Sequence, residues 1–321
     1  MHCLFHFFSG IVPGSIADSN DCEEHQTDDS EGEMQWRKAG TISGRPEKLR
    51  IICATETQWR IGRKQTGKTM TMGQPVKVMG IVLSAMAIGD YDKRITILTR
   101  ERGKITAFAR GARRPGSQLM AATDPFSFGE FELFEGRSSY NVTRASIQNY
   151  FRELVEDLEA MNLGFYFMEF ADYLCQENSD EREMLKLLYQ SMRALESPRF
   201  ERALVRAVFE LRAMAINGEG PNVFSCMKCS GKENLTLFSV RRGGMFCSSC
   251  EADVPGRRIL DSTRYAMQFI ISTPVERLYT FSLTEQVLHE LTVLVKEYIS
   301  CYLHHEFKSL SVCLTDVGKN G

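Results

Sequence analysis

Four cysteines fall in two CxxC pairs, Cys226-Met-Lys-Cys229 and Cys247-Ser-Ser-Cys250, with seventeen residues between them. Four thiolates at this spacing form the donor set of a tetrahedral zinc site, two knuckles joined by a hairpin-length loop. The same residues could instead serve as paired disulfides or as a redox dithiol. Disulfides require an oxidising compartment, and a thioredoxin-type CxxC sits in a strand-helix-strand setting that this stretch lacks. One zinc ion on Cys226, Cys229, Cys247 and Cys250 is therefore the expected cofactor. With no ligand position left for water, its expected role is structural.

Other chemistry is hard to assemble. The histidines stand at 2, 6, 25, 289, 304 and 305, so a histidine acid, base or nucleophile system has no member between Gln26 and Leu288. His289-Glu290 lacks the second histidine of a zincin, because Val293 takes that place. Cys301 with His304 or His305 could face one way on a helix, but an ordinary helix surface explains them better. Gly62 to Thr69 matches the GxxxxGKS/T pattern of a phosphate-binding loop. Such a loop needs a helix immediately after it to hold the phosphates, and the Gly73 and Pro75 that follow prevent one. An ATPase using Lys68 is disfavoured on that ground. The chain reads as a binding protein, not an enzyme.

The elements that would position these residues change character along the 321 residues. Residues 1–70 carry eight acids between Asp18 and Glu33 and then a stretch without periodicity, which predicts disorder or weak order. Met70 and Met72 precede the first strand, so residues 1–70 also read as an upstream extension of the reading frame. Met1 to Val12 is apolar but lacks the basic start and cleavage site of a signal peptide, and nothing approaches a membrane-spanning run.

From residue 71 to 149 the pattern is that of strands: Val76 to Ser84, Ile95 to Thr99, Lys104 to Ala109, Phe126 to Phe134 and Ser139 to Ile147, with Gly111 to Gly116 as a loop. Five short strands predict a small closed barrel, with the OB-fold as the leading candidate and an SH3-like barrel second. Phe126, Phe128 and Phe131 read as its core. Near Asn149 the period becomes helical, predicting helices over Phe151 to Asn162, Leu163 to Gln176, Arg182 to Leu195 and Arg199 to Ile216, a helical domain at 150–220. The zinc module, 221–256, interrupts it. Helices over Ser262 to Ile271 and Thr284 to Phe307 then complete it at 257–321, the last with Leu283, Val287, Leu288, Leu291, Val295, Tyr298 and Ile299 on one face. The predicted class is α+β and multidomain.

Net charge is −2, but its distribution is uneven. Between Lys93 and Arg114 stand eight basic residues against one acid, whereas Phe151 to Gly220 holds fourteen acids against eight basic residues. A basic run on the second and third strands of an OB barrel lies on its usual binding face, where cations track phosphates and exposed rings stack bases. Arg94, Lys104, Arg110, Arg113 and Arg114 are the candidate DNA contacts, with Tyr91 and Phe108 as candidate stacking rings. The competing reading is a zinc-stabilised scaffold whose basic barrel docks an acidic protein.

Three stretches, Gly89-Asp-Tyr-Asp-Lys93, Leu98-Thr-Arg-Glu-Arg-Gly-Lys104 and Ala109-Arg-Gly-Ala-Arg-Arg-Pro115, together resemble the bacterial DNA repair RecO family. The likeness continues through Pro125-Phe126, Phe209-Glu-Leu-Arg212 and the paired CxxC motifs, from about Val76 to Val312. The resemblance implies an OB domain, a helical domain and a zinc module without enzymatic turnover. It implies a cytoplasmic, nucleoid-associated protein that binds single- and double-stranded DNA and anneals complementary strands. With RecR, such a protein helps RecA replace single-strand binding protein on DNA. It also implies that the helical domain binds the acidic, Phe-ended tail of single-strand binding protein, and Arg202 and Arg206 are the candidates for that contact.

Overall fold

The computed structural model describes residues 75–136 and 139–310. The expectations for residues 1–70, including the motif at 62–69, fall outside them. Alternating side chains build five strands: β1 (Pro75–Ile88), β2 (Asp92–Thr99), β3 (Gly103–Ala109), β4 (Phe128–Glu135) and β5 (Tyr140–Asn149). They close in the order β1-β2-β3-β5-β4, with β3 and β5 parallel and the other pairs antiparallel. This is an OB-type barrel. Val78, Val82, Ile95, Ile97, Ile105, Ala107, Phe131 and Leu133 fill the interior. A short helix α1 (Leu119–Ala122) follows the expected loop, with Leu119 packed on the barrel core. Four residues are too few to show a helical period in sequence.

The outward face of the barrel is divided. Ile81, Leu83 and Leu98 point away from the interior yet are buried, because they belong to the core of the helices. Those helices are α2 (Arg152–Glu156), α3 (Leu158–Leu174), α4 (Arg182–Glu196), α5 (Arg202–Ile216), α6 (Asp261–Ser272) and α7 (Glu285–Tyr302). The first break falls at Asp157, not after Asn162 as the sequence pattern suggests. Asp157 is the N-cap of α3 and accepts from the Ala160 amide at 3.1 Å, so the new helix starts there and carries Leu163 inside as a buried residue. Phe126 is buried as expected but is not in a strand. Its φ is 72°, and its ring meets Phe165 of α3 edge-on at 4.8 Å. Phe128 is partly buried and packs on Tyr189 of α4 at 4.6 Å.

The cysteine-bearing segment contributes β6 (Leu235–Ser239), β7 (Gly244–Cys247) and a third strand, β8 (Arg257–Arg258), that two residues could not announce in sequence. Leu237, Phe238, Met245 and Phe246 join the helical core. Helix α7 ends at Tyr302, short of the expected Phe307. The chain then turns, Phe307 stacks on Phe170 at 4.9 Å, and Glu169 accepts from the amides of Lys308 and Ser309 at 3.0 and 2.9 Å.

Backbone joins barrel to helices at Gly103, where the Lys104 amide donates to the Gln176 carbonyl and the Asn178 amide to the Arg102 carbonyl. Gly103 has φ +66°, and a Cβ there would lie 2.5 Å from the Gln176 carbonyl oxygen. Gly111 has the same φ, but its nearest neighbour would be 3.5 Å away. Both alanine variants carry the left-handed penalty of about 1–2 kcal/mol. Gly103→Ala should lose clearly more stability than Gly111→Ala in urea unfolding, and equal losses would show that the junction yields.

Candidate functional site

The basic run divides by tertiary pairing. Lys93 pairs with Asp124 at 2.6 Å, Arg100 with Glu101 at 2.7 Å, Arg102 with Glu135 at 3.9 Å and Lys104 with Asp172 at 3.2 Å. Lys104 also donates to the Asp172 carbonyl on α3, so this candidate clips the barrel to the helices. Arg94, Arg110, Arg113 and Arg114 are exposed and take part in no ion pair among the described residues. They gather at one end of the barrel, while Lys104 lies at the far end of β3, six residues and about 20 Å from Arg110.

Two loops lock together to make that end. The Arg113 amide donates to the Tyr91 carbonyl at 2.8 Å, its guanidinium to the Gly89 carbonyl at 3.2 Å, and the Gly111 amide to Asp92 at 2.7 Å. The Arg114 guanidinium lies 5.2 Å from the centre of the Tyr91 ring. Strand register sets Met86, Arg94 and Phe108 side by side across β1, β2 and β3, on the outward face that the helices leave open. Such an end presents fixed positive charge to a polyanion beside apolar side chains.

The four cysteines converge. Their sulfurs lie within 4.8 Å of one another, and Cys229 and Cys247 Sγ are 3.7 Å apart. A tetrahedral site with metal–sulfur bonds of about 2.3 Å requires sulfur separations of about 3.8 Å, whereas a disulfide requires about 2.05 Å. The cluster therefore fits a metal ion, and all four cysteines are free. Burial works against the Cys226 thiolate, but amide donors at Cys229, Cys247 and Lys228 outweigh it and pull its pKa down to about 6. Hydrogen bonding to Cys247, burial and the other nearby thiols push Cys250 up to about 12. Four thiolates so close repel one another unless a cation neutralises them.

Arg202 and Arg206 line one wall of a groove of about 600 Å³ between α3, α5 and α7. Leu158, Leu163 and Val293 supply apolar lining, and Lys296 and His289 stand on the opposite wall. Arg202 is held by Asp157 at 2.5 Å and Glu159 at 3.1 Å. Arg206 pairs with Glu210 one turn on, at 2.8 Å, and lies 5.3 Å from the Tyr166 ring centre. Glu210 is buried and also accepts from the Tyr166 hydroxyl at 2.7 Å. Burial and the neighbouring carboxylate raise the Tyr166 pKa far above its usual range.

Residues 70–151 match the family model described as Recombination protein O N terminal, and residues 155–311 match Recombination protein O C terminal. The chain belongs to the RecO family. It is 31% identical over 242 residues to the DNA repair protein RecO of Acetivibrio thermocellus, covering 75% of this chain and 96% of that one. The RecO of Alkaliphilus metalliredigens is 29% identical over 74% of this chain and 98% of its own, and that of Desulforudis audaxviator 31% identical over 72% and 93%. In this RecO-family chain the basic end lies within the N-terminal match, and the cysteine cluster and groove within the C-terminal one.

No sequence signal marks Leu158, His289 or Lys296, because helical periodicity shows which face is apolar and not which helices meet. The partners Asp124 and Asp172 of the quenched lysines, 31 and 68 residues away, are equally silent. No helix among the described residues is long and apolar enough to cross a membrane.

Cys226→Ser removes a buried donor, so it should abolish stoichiometric metal binding by elemental analysis. The melting temperature should then fall by about 2–4 °C per kcal/mol lost. Equal melting of the variant and the metal-loaded protein would contradict a structural role.

Proposed function

We propose that this chain is a non-enzymatic recombination mediator in DNA repair. It binds single- and double-stranded DNA through the barrel, anneals complementary strands and, with RecR, helps load RecA onto DNA covered by single-strand binding protein. The observation that carries the reading is the group of four arginines, Arg94, Arg110, Arg113 and Arg114, that have no carboxylate partners among the described residues at one barrel end while their basic neighbours are paired. Exposed cations without partners keep their full attraction for phosphate, and each phosphate they neutralise releases counterions. Lys104, tied to Asp172, contributes less than those four to DNA binding. The names of the curated relatives as DNA repair proteins support the same reading. A protein acting on chromosomal DNA in this way would work in the cytoplasm at the nucleoid.

The metal is zinc, since sites of four cysteine thiolates with no open position are characteristically zinc sites, and its role is to hold the hairpin and not to react. The groove takes the acidic, Phe-ended tail of single-strand binding protein. Its apolar floor suits a phenyl ring, and Arg202, Arg206 and Lys296 suit carboxylates.

Fluorescence anisotropy of the full chain with a labelled oligonucleotide tests the barrel. Affinity should fall steeply with salt. Arg113→Ala with Arg114→Ala should weaken binding to all sequences and flatten the single-strand salt slope by about 1.4, two phosphates at about 0.7 each. Salt-independent or absent binding at low salt would assign the basic end to protein docking. For the groove, Arg206→Ala should weaken binding of an acidic peptide ending in Phe, measured by calorimetry, while leaving DNA affinity unchanged.

A further inference from the structure

The end of β1 parts from β4. Strand β1 pairs with β4 only from Pro75 to Ile81, whereas its pairing with β2 runs on to Ile88 opposite Asp92. Ser84 to Asp92 is therefore an arm in which β1 is an edge strand, among the described residues, on a β2 that is backed by β3, with a tight turn at Gly89, whose φ is +53°. The arm exposes apolar side chains beside the acids of its turn, Asp90 and Asp92. Met86 is 56% exposed, Ile88 37% and Tyr91 49%. Packing among the described residues leaves these side chains exposed, and they stand among the arginines that make no ion pair among the described residues.

Tyr91 is held more firmly than a surface ring usually is. Its carbonyl is fixed by the Arg113 amide, and the Arg114 guanidinium sits 5.2 Å from its ring centre. One guanidinium covers one face of a ring, and half of the side chain remains exposed. Phe108, the other ring on this surface, is half-buried in its strand beside Arg94.

We propose that the open face of Tyr91 stacks an unpaired base, with Arg114 on the opposite face and Met86 and Ile88 as apolar flanks, so that the arm recognises single-stranded DNA specifically. The inference rests on the DNA-binding reading above. Phosphate contacts serve single and double strands alike, but a base offers its face to a ring only when it is not stacked in a duplex. The arginines would then supply general affinity, and Tyr91 the preference for the unpaired strand.

The test compares wild type, Tyr91→Ala and Tyr91→Phe, as full chains, on an unstructured single strand and on a blunt duplex of equal length across several salt concentrations. Tyr91→Ala keeps the backbone anchor to Arg113, and thermal unfolding checks its fold. Expected is a loss of about tenfold in single-strand affinity with duplex affinity and salt slope unchanged, and wild-type behaviour for Tyr91→Phe. Ultraviolet crosslinking to an oligonucleotide carrying 5-iodouracil should label Tyr91. Equal losses on both substrates with a flatter salt slope would overturn the proposal, because Tyr91 would then only position Arg114. Unchanged affinities for Tyr91→Ala would also overturn it. Wild type that binds neither substrate at low salt would remove the underlying DNA-binding reading and this inference with it.

Discussion

The outward face of β1 and β2 is apolar at Ile81, Leu83 and Leu98, and a barrel with such a face has to be covered. Each of these side chains contributes about 1.5–3 kcal/mol when fully buried, and a closed barrel has no room for them inside. The helices supply the cover. Helices α3 and α4 lie over this face, and one core runs from the barrel wall through the bundle to the cysteine hairpin. Which surfaces remain available for binding follows from that cover. What the helices occlude becomes structure, and what they leave open, the arm and the β3–α1 loop, stays exposed.

The same division sorts the charges. A lysine on the covered side, such as Lys104, meets the acid-rich helices and is paired there with Asp172. An arginine at the open end meets solvent. The sequence makes the basic run and the acidic helical segment visible as composition, and strand alternation distinguishes inward from outward residues in β2 and β3. Alternation cannot distinguish outward and covered from outward and free, because Leu98 and Arg94 occupy equivalent phases of one strand. Only the hydrophobicity of Leu98 hints at the difference. Lys104 carries no such hint, and for that reason five candidate cations divide into four exposed at one end and one committed elsewhere. The helix break at Asp157, which the sequence pattern puts after Asn162, differs for a related reason. Asp157 and Asn162 are both capable caps, and only the position of Leu163 in the core decides between them.

The cysteine hairpin is tied to α7 at several points. The Tyr298 hydroxyl donates to the Glu219 carbonyl at 2.9 Å, the Tyr302 hydroxyl to the Val240 carbonyl at 3.2 Å, and Arg257 pairs with Glu297 at 2.5 Å. Helix α7 also carries Val293 and Lys296 on the groove wall. A metal that fixes the hairpin therefore braces, through one helix, a wall of the groove. The two CxxC pairs were fully legible as a donor set. Their attachment to α7 was not, because tyrosine hydroxyls reaching backbone carbonyls leave no pattern in sequence.

The two cationic surfaces work in different electrostatic regimes. Arg206 is already neutralised by Glu210, and Glu210 is held by Tyr166, so a visiting carboxylate adds to a satisfied network and gains little net charge attraction. For the proposed acidic tail, selectivity in the groove would come chiefly from the apolar floor and from Lys296, with the arginines fixing orientation. The barrel end is the reverse. Its arginines are solvated and have no carboxylate partners among the described residues, so an approaching polyanion meets uncompensated charge and displaces only water and counterions. Such contacts are individually weak, additive and sensitive to salt. A surface of that kind can hold a nucleic-acid strand without trapping it, as strand exchange between partners requires. The groove instead suits a short tail that docks by shape.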